Sequence, residues 1–174
     1  MSQPLGTLRQ LAYVVTDLDA ALKYWVDVIH AGPFFMFENF VLGEQKYRGG
    51  PSDVDLTLAL GNTGDVQIEL ILQNSDSPSV YKEFLDAGRV GVHHFGMMPE
   101  DYAAECAKYR DLGHEAAFEA TVGGADLVYF DTVDSVGHFI EFWDNSDVFK
   151  GLFLEIENAA KGWDGKDPIR RSPL

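Results

Sequence analysis

The sequence carries one pattern twice, and a duplicated pattern sharply restricts the folds open to a chain of 174 residues. Laid on itself so that Gln10 falls on His94, the run Gln10-Leu11-Ala12-Tyr13-Val14 covers His94-Phe95-Gly96-Met97-Met98. In the same frame Asp17 falls on Asp101, Ala20 on Ala104 and Asp27 on Asp111. Further along, Val66-Gln67-Ile68-Glu69-Leu70-Ile71 is echoed by His138-Phe139-Ile140-Glu141-Phe142-Trp143. Each half thus opens on a strand starting at Gln10 or His94 and closes on a strand carrying Glu69 or Glu141. Two like halves packed face to face can bring these four side chains to one centre. A quartet of nitrogen and oxygen donors of this kind can hold one divalent metal ion.

Periodicity fills in each half. Residues 8–15 read as a strand, and Thr16-Asp17-Leu18-Asp19 as a helix start with Thr16 as the cap and acidic groups in the first turn. Leu18, Ala21, Leu22, Trp25 and Ile29 fall on one face of that helix and are expected in the core, and Gly32-Pro33 stops it. Strands are expected over 34–40, with 41–42 as an optional continuation, then over 54–60 and 66–72; the turn cluster 61–65 joins the last two as a hairpin. A linker over 73–90 holds a short helix with Pro78 at its first position. The second half repeats the order, with a strand over 91–98, a helix from about 99 to 112, and strands near 116–121, 126–130 and 137–143. One more amphipathic helix spans 148–160, and the polar tail 162–174 is expected to be mobile.

The expected architecture is therefore α+β: paired βαβββ modules forming a cupped mixed sheet, with an extra C-terminal helix. The first module covers 5–72, the linker 73–90, the second module 91–144, and the C-terminal helix and tail 145–174. A strand edge left open by one module is covered by the other.

Composition excludes several classes of function. The formal net charge of −15 argues against nucleic acid and anionic membranes as partners. No apolar run approaches the roughly 20 residues needed to cross a bilayer, and residues 1–7 lack the features of a signal peptide. Cys106 is the only cysteine, so neither an intramolecular disulfide nor a thiolate cluster can form, which fits the cytoplasm.

Taken singly, Glu69 and Glu141 read as the solvent face of amphipathic strands. The repetition of the pair beside Gln10 and His94 shifts the reading to a metal site. His93 and His94 are expected on opposite faces of one strand, and the repeat selects His94. His30, His114 and His138 read as surface residues. Gln67 shares a face with Glu69 as a supporting or an exposed group. Phe34-Phe35-Met36-Phe37 is expected in the core, with its inward members lining any pocket. Lys46 and Arg48 lie on an expected loop, where they are scarce cations able to clamp a carboxylate or phosphate or simply to be solvated. The Gly-rich stretch 43–53 is a candidate lid.

A paired βαβββ unit with donors on the first and last strand of each half resembles the vicinal oxygen chelate superfamily of glyoxalase I, methylmalonyl-CoA epimerase, extradiol dioxygenases and bleomycin-resistance proteins. The stretches that carry the resemblance are Leu11-Ala12-Tyr13-Val14-Val15-Thr16-Asp17-Leu18-Asp19-Ala20-Ala21, Gly91-Val92-His93-His94-Phe95-Gly96 and Phe139-Ile140-Glu141-Phe142. It implies metal ligands at Gln10, Glu69, His94 and Glu141, a set similar to that of animal-type glyoxalase I. The dioxygenases use two His and one Glu around Fe(II), so Gln10 departs from them. Methylmalonyl-CoA epimerases start from His, so Gln10 departs from these too.

The resemblance implies one divalent ion (Zn, Ni, Co, Mn or Fe), a small-molecule substrate and a homodimer. It further implies a glyoxalase-like lyase or isomerase acting on a small oxygenated metabolite through a metal-stabilised enolate or enediolate. Glu141 would be the base, and Glu69 would return the proton from the other face. The alternatives are a metal-free, bleomycin-resistance-like protein that sequesters a ligand and, behind it, an extradiol-type dioxygenase.

Overall fold

The computed structural model describes residues 7–171. The N-terminal residues 1–6, read above as part of a stretch without signal-peptide features, lie outside it, as does the end of the tail at 172–174.

The chain runs β1 (Gln10–Val14), α1 (Leu18–Asp27), β2 (Phe34–Val41), β3 (Gly43–Tyr47), β4 (Gly50–Pro51), β5 (Asp55–Thr63) and β6 (Val66–Gln73). It continues through α2 (Val80–Asp86), β7 (Val92–Met97), α3 (Tyr102–Asp111), β8 (Ala116–Val122) and β9 (Ala125–Phe130). The last elements are α4 (Val133–Val136), β10 (Phe139–Trp143), α5 (Asp147–Ala160) and β11 (Ile169–Arg171). All strands join one mixed sheet in the order β11-β2-β5-β6-β1-β7-β10-β9-β8-β3-β4.

The repeat is visible in the caps. The Asp17 carboxylate accepts from the Ala20 amide at 2.9 Å, and the Asp101 carboxylate accepts from the Ala104 amide at 3.0 Å. The two residue pairs matched in sequence therefore make the same hydrogen bond at the start of α1 and α3. Asp17, not Thr16, is the α1 cap, because the side chain one residue closer to the helix is the one that reaches the Ala20 amide. Ser79 likewise caps α2 and leaves Pro78 before the helix. Helix α1 ends at Asp27, so Ile29 lies past it and is 42% exposed, unlike Leu22.

Three apolar clusters stack the layers. Leu18 and Leu22 of α1 pack on Phe34, Ala59, Ile68 and Leu70 of the outer face of the first half. Cys106 of α3 packs on Val128, Phe130 and Phe142 of the second. The third cluster fills the concave side, where α2 contributes Val80, Tyr81 and Phe84 and α5 contributes Phe149, Phe153 and Ile156.

The stretch 43–53 is not a loop. It forms β3 and β4, and β3 pairs with β8 at the far end of the sheet. Strand β2 lies near the opposite end, yet only Leu42 separates it from β3. The sheet must therefore curl until its two ends meet, which makes the cup deep. The Gln45 side chain ties this seam, donating to the Leu42 and Val54 carbonyls at 3.1 Å each and accepting from the Val54 amide at 2.8 Å.

The tail also departs from expectation. Residues 169–171, read as mobile, form β11 in parallel with the Phe34–Met36 segment of β2. Phe34 donates its amide to the Pro168 carbonyl at 2.8 Å, so the return of the chain satisfies the free edge of β2.

Candidate metal centre

The two halves meet where β1 and β7 run antiparallel. Gln10 pairs with Gly96, and Ala12 pairs with His94. Since the repeat matches Gln10 to His94 and Ala12 to Gly96, each strand offers one donor and one small residue, related by a local two-fold. Flanking parallel pairings set Glu69 of β6 beside Ala12 and Glu141 of β10 beside Gly96. The small residues leave room for long side chains to converge over the centre of the sheet.

They do converge. His94 Nε2 lies 3.1 Å from Gln10 Oε1, 3.3 Å from Glu69 Oε2 and 3.1 Å from Glu141 Oε2. Ligand atoms of Glu69, His94 and Glu141 all lie within 4.8 Å of one another, and all three residues are buried. Neither glutamate faces solvent: Glu69 is 7% exposed and Glu141 3%. Gln10 is held from behind, its Nε2 donating to Gln67 Oε1 at 2.8 Å, which turns its own oxygen toward His94.

His93 joins this centre, contrary to the expectation that it points away. Tyr13 pairs with Val92 and Ala12 with His94, so His93 is the extra residue of a bulge. Strict alternation fails there, and His93 Nδ1 comes within 2.9 Å of His94 Nδ1. The protons then follow from the partners. The Val80 carbonyl, 3.2 Å from His93 Nε2, can only accept, so His93 carries its proton on Nε2. The bare Nδ1 of His93 therefore accepts from His94 Nδ1, and the neutral His94 ring presents a lone pair at Nε2.

That lone pair faces three acceptor oxygens, a repulsive arrangement unless something positive sits among them. Glu69, His94 and Glu141 could hold a divalent cation there, with the Gln10 oxygen beside them. A proton is the other solution. Burial disfavours the imidazolium, but the Glu141 and Glu69 carboxylates outweigh it and lift the His94 pKa from 6.5 to about 9. Burial raises the Glu141 pKa, with His94 partly opposing the rise. His93 is driven well below its ordinary value by burial and then by His94, and stays neutral.

Two tyrosines missed in the sequence complete the surroundings. Tyr81 donates its hydroxyl to that of Tyr129 at 3.1 Å, and the nearby Glu141 carboxylate acts electrostatically on both phenols. Both phenols are pushed well above 10, first by burial. Tyr129 pairs with Glu141 across β9 and β10, a register that period-two patterning does not specify. His30, His114 and His138 lie outside the cluster. Arg48 is engaged elsewhere: its guanidinium bonds Glu83, Glu115 and Asp131, pinning the β3–β4 turn to α2 and the second half.

Gln10, Glu69 and Glu141 form the floor of a cavity of about 530 Å³, counted out to its open mouth. Phe37, Leu58, Leu127 and Trp143 stand among its walls, and Phe149, Leu152 and Phe153 of α5 close over it.

Residues 9–130 match the family described as the glyoxalase/bleomycin resistance protein/dioxygenase superfamily. The chain belongs to that superfamily. No curated protein sequence matches the chain. Among solved structures it resembles a hypothetical protein from Bacillus halodurans C-125 with a TM-score of 0.56 at 16% identity, covering 81% of this chain and 95% of that one. A methylmalonyl-CoA epimerase from Mycobacterium tuberculosis gives a TM-score of 0.56 at 18% identity, with 87% and 95% covered. A further methylmalonyl-CoA epimerase gives 0.52 at 17%, with 84% and 100% covered. At such identities the likeness is one of fold. Among the described residues no helix is long and apolar enough to cross a membrane.

Proposed function

We propose that the protein is a metal-dependent lyase or isomerase of the glyoxalase type, which moves a proton next to a carbonyl of a small oxygenated substrate. The observation that carries this reading is His94 Nε2 facing Gln10, Glu69 and Glu141 oxygens at 3.1 to 3.3 Å. Gln10, Glu69, His94 and Glu141 would hold the ion. When bound, it supplies a Lewis acid that polarises a substrate carbonyl.

The remaining work falls to the chain. Glu141 takes the proton beside the carbonyl as general base. Tyr129, fixed by Tyr81 and paired with Glu141 across β9 and β10, stands beside that carboxylate and shields it from water. Glu69, on the opposite flank of His94, is placed to return a proton from the other side. The apolar walls exclude water, which protects an enolate from premature quenching.

A metal-free sequestering protein remains the second reading, because a proton on His94 also satisfies the three oxygens. Elemental analysis of the wild type and of His94→Ala and Glu141→Ala separates the two. About one divalent ion per chain, sharply reduced in both variants, is the expected result. The metal reading falls if the wild type holds none and takes up none from added Zn²⁺, Ni²⁺, Mn²⁺ or Fe²⁺. Exchange of substrate α-hydrogen for solvent deuterium, lost on chelation, checks the proton step.

A further inference from the structure

The cavity is sorted by polarity. Apart from the hydroxyls of Tyr81 and Tyr129 and the indole N–H of Trp143, its polar lining side chains are Gln10, Glu69 and Glu141, all at the floor. Above them the walls are aliphatic and aromatic. Leu56, Leu58 and Leu60 alternate inward along β5, and each is buried. Trp143 is seated over Gly96 and packs its ring against Phe153 of α5 with centroids 4.7 Å apart. No Lys, Arg or His is among the described residues that line the cavity.

Charge tells against an ionic ligand body. A carboxylate or phosphate placed among these walls loses its hydration and finds no counter-charge on them, which disfavours its entry. It also lies near two acidic floor residues in a chain of net charge −15. Arg48, the cation best suited to hold such a group, is committed to Glu83, Glu115 and Asp131. A glutathione conjugate places its carboxylates close to the reacting oxygens, and a coenzyme A thioester brings a long polar amide arm, ending in phosphates, for which these apolar walls offer no partners.

We infer that the substrate is an uncharged, largely apolar molecule, aryl or branched alkyl in its body, bearing two neighbouring oxygens at one end. The oxygen pair enters the floor between Gln10 and Glu141, and the body lies against β5 and Trp143 under α5. The placing of the oxygen pair rests on the metal-site reading. The preference for an uncharged body rests on the walls.

Calorimetric titration of the metal-loaded protein with three probes tests the inference. Benzoin has two neighbouring oxygens and an uncharged diaryl body, 4-carboxybenzoin adds one charge remote from the oxygens, and propionyl-CoA carries the phosphates. Benzoin is expected to bind at least about tenfold more tightly than either of the others, a modest share of the desolvation cost. Equal or tighter binding of 4-carboxybenzoin or propionyl-CoA, or no binding of benzoin, overturns the inference.

Leu152 is half-buried at the mouth, so Leu152→Arg is compatible with folding. It should narrow the ratio by favouring 4-carboxybenzoin, and an unchanged ratio would remove α5 from the proposed binding surface. Metal content is read on the same sample. A protein that selects benzoin yet holds no ion upholds the apolar body and overturns the metal reading, and one that holds its ion but prefers propionyl-CoA does the reverse.

Discussion

His93 and His94 stand side by side in β7 and also touch, Nδ1 to Nδ1 at 2.9 Å, because a bulge turns both rings toward the interior. The Val80 carbonyl sets the tautomer of His93, and His93 in turn sets that of His94. A main-chain carbonyl at the start of α2 thereby decides which nitrogen of His94 is left to face the Gln10, Glu69 and Glu141 oxygens.

The consequence is measurable. His93→Ala should weaken metal binding by about 10–100-fold, the usual effect of removing the partner that orients a ligating imidazole. His93→Asn should recover part of the loss, since its Oδ1 can accept where Nδ1 did. Competition with a chromophoric chelator reads both, and equal losses in the two variants would reduce His93 to a packing role.

Metal uptake should also depend on pH through His94. Its proton competes for Nε2 with a pKa of about 9, so apparent affinity should rise about tenfold per pH unit on the approach to that value. The chelated protein should show the linked effect on stability. The folded pKa lies above the ordinary 6.5, so the added stability is fully present below 6.5 and is lost as pH rises through about 9. Denaturant titrations across this window check the sign.

Gly96 marks a close approach. A Cβ there would lie 2.0 Å from Cη2 of Trp143. Gly96→Ala should therefore destabilise the protein by about 1–3 kcal/mol as the indole is forced aside. Adding Trp143→Leu should restore part of that loss, and urea unfolding of both variants and the pair measures the coupling.

Removing Arg48 leaves Glu83, Glu115 and Asp131 facing one another without their shared cation. Arg48→Ala should cost about 1–2 kcal/mol at neutral pH, since the group is only partly buried. The loss should shrink in acid, where Glu83, held below its usual range against the opposing effect of burial by Arg48 and Tyr47, takes up its proton, and thermal unfolding at pH 7 and pH 4 reads the difference.

Glu141→Gln keeps the shape of the floor and removes the base. Turnover should fall by about 10²–10⁴-fold with a smaller change in substrate affinity. A parallel loss in both quantities would make Glu141 a binding group.

Much of the fold is written in residues that act locally or by repetition. Period-two patterning marks β1, β6, β7 and β10, 3.6-residue patterning marks α1 and α5, and the repeat pairs Gln10 with His94 and Glu69 with Glu141. The α+β class and the four donors follow from those signals alone. Tertiary structure decided what depends on partners distant in sequence. Whether Glu69 and Glu141 are buried, whether β3 reaches across to β8, and whether 169–171 pairs with β2 all depend on how the sheet curls. No periodicity records that curvature, because it arises from pairing between strands and not within them. The bulge at His93 is the sharpest case. One unpaired residue overrides the alternation that the sequence implies, and it joins to the candidate metal centre a side chain that patterning had sent to the other face.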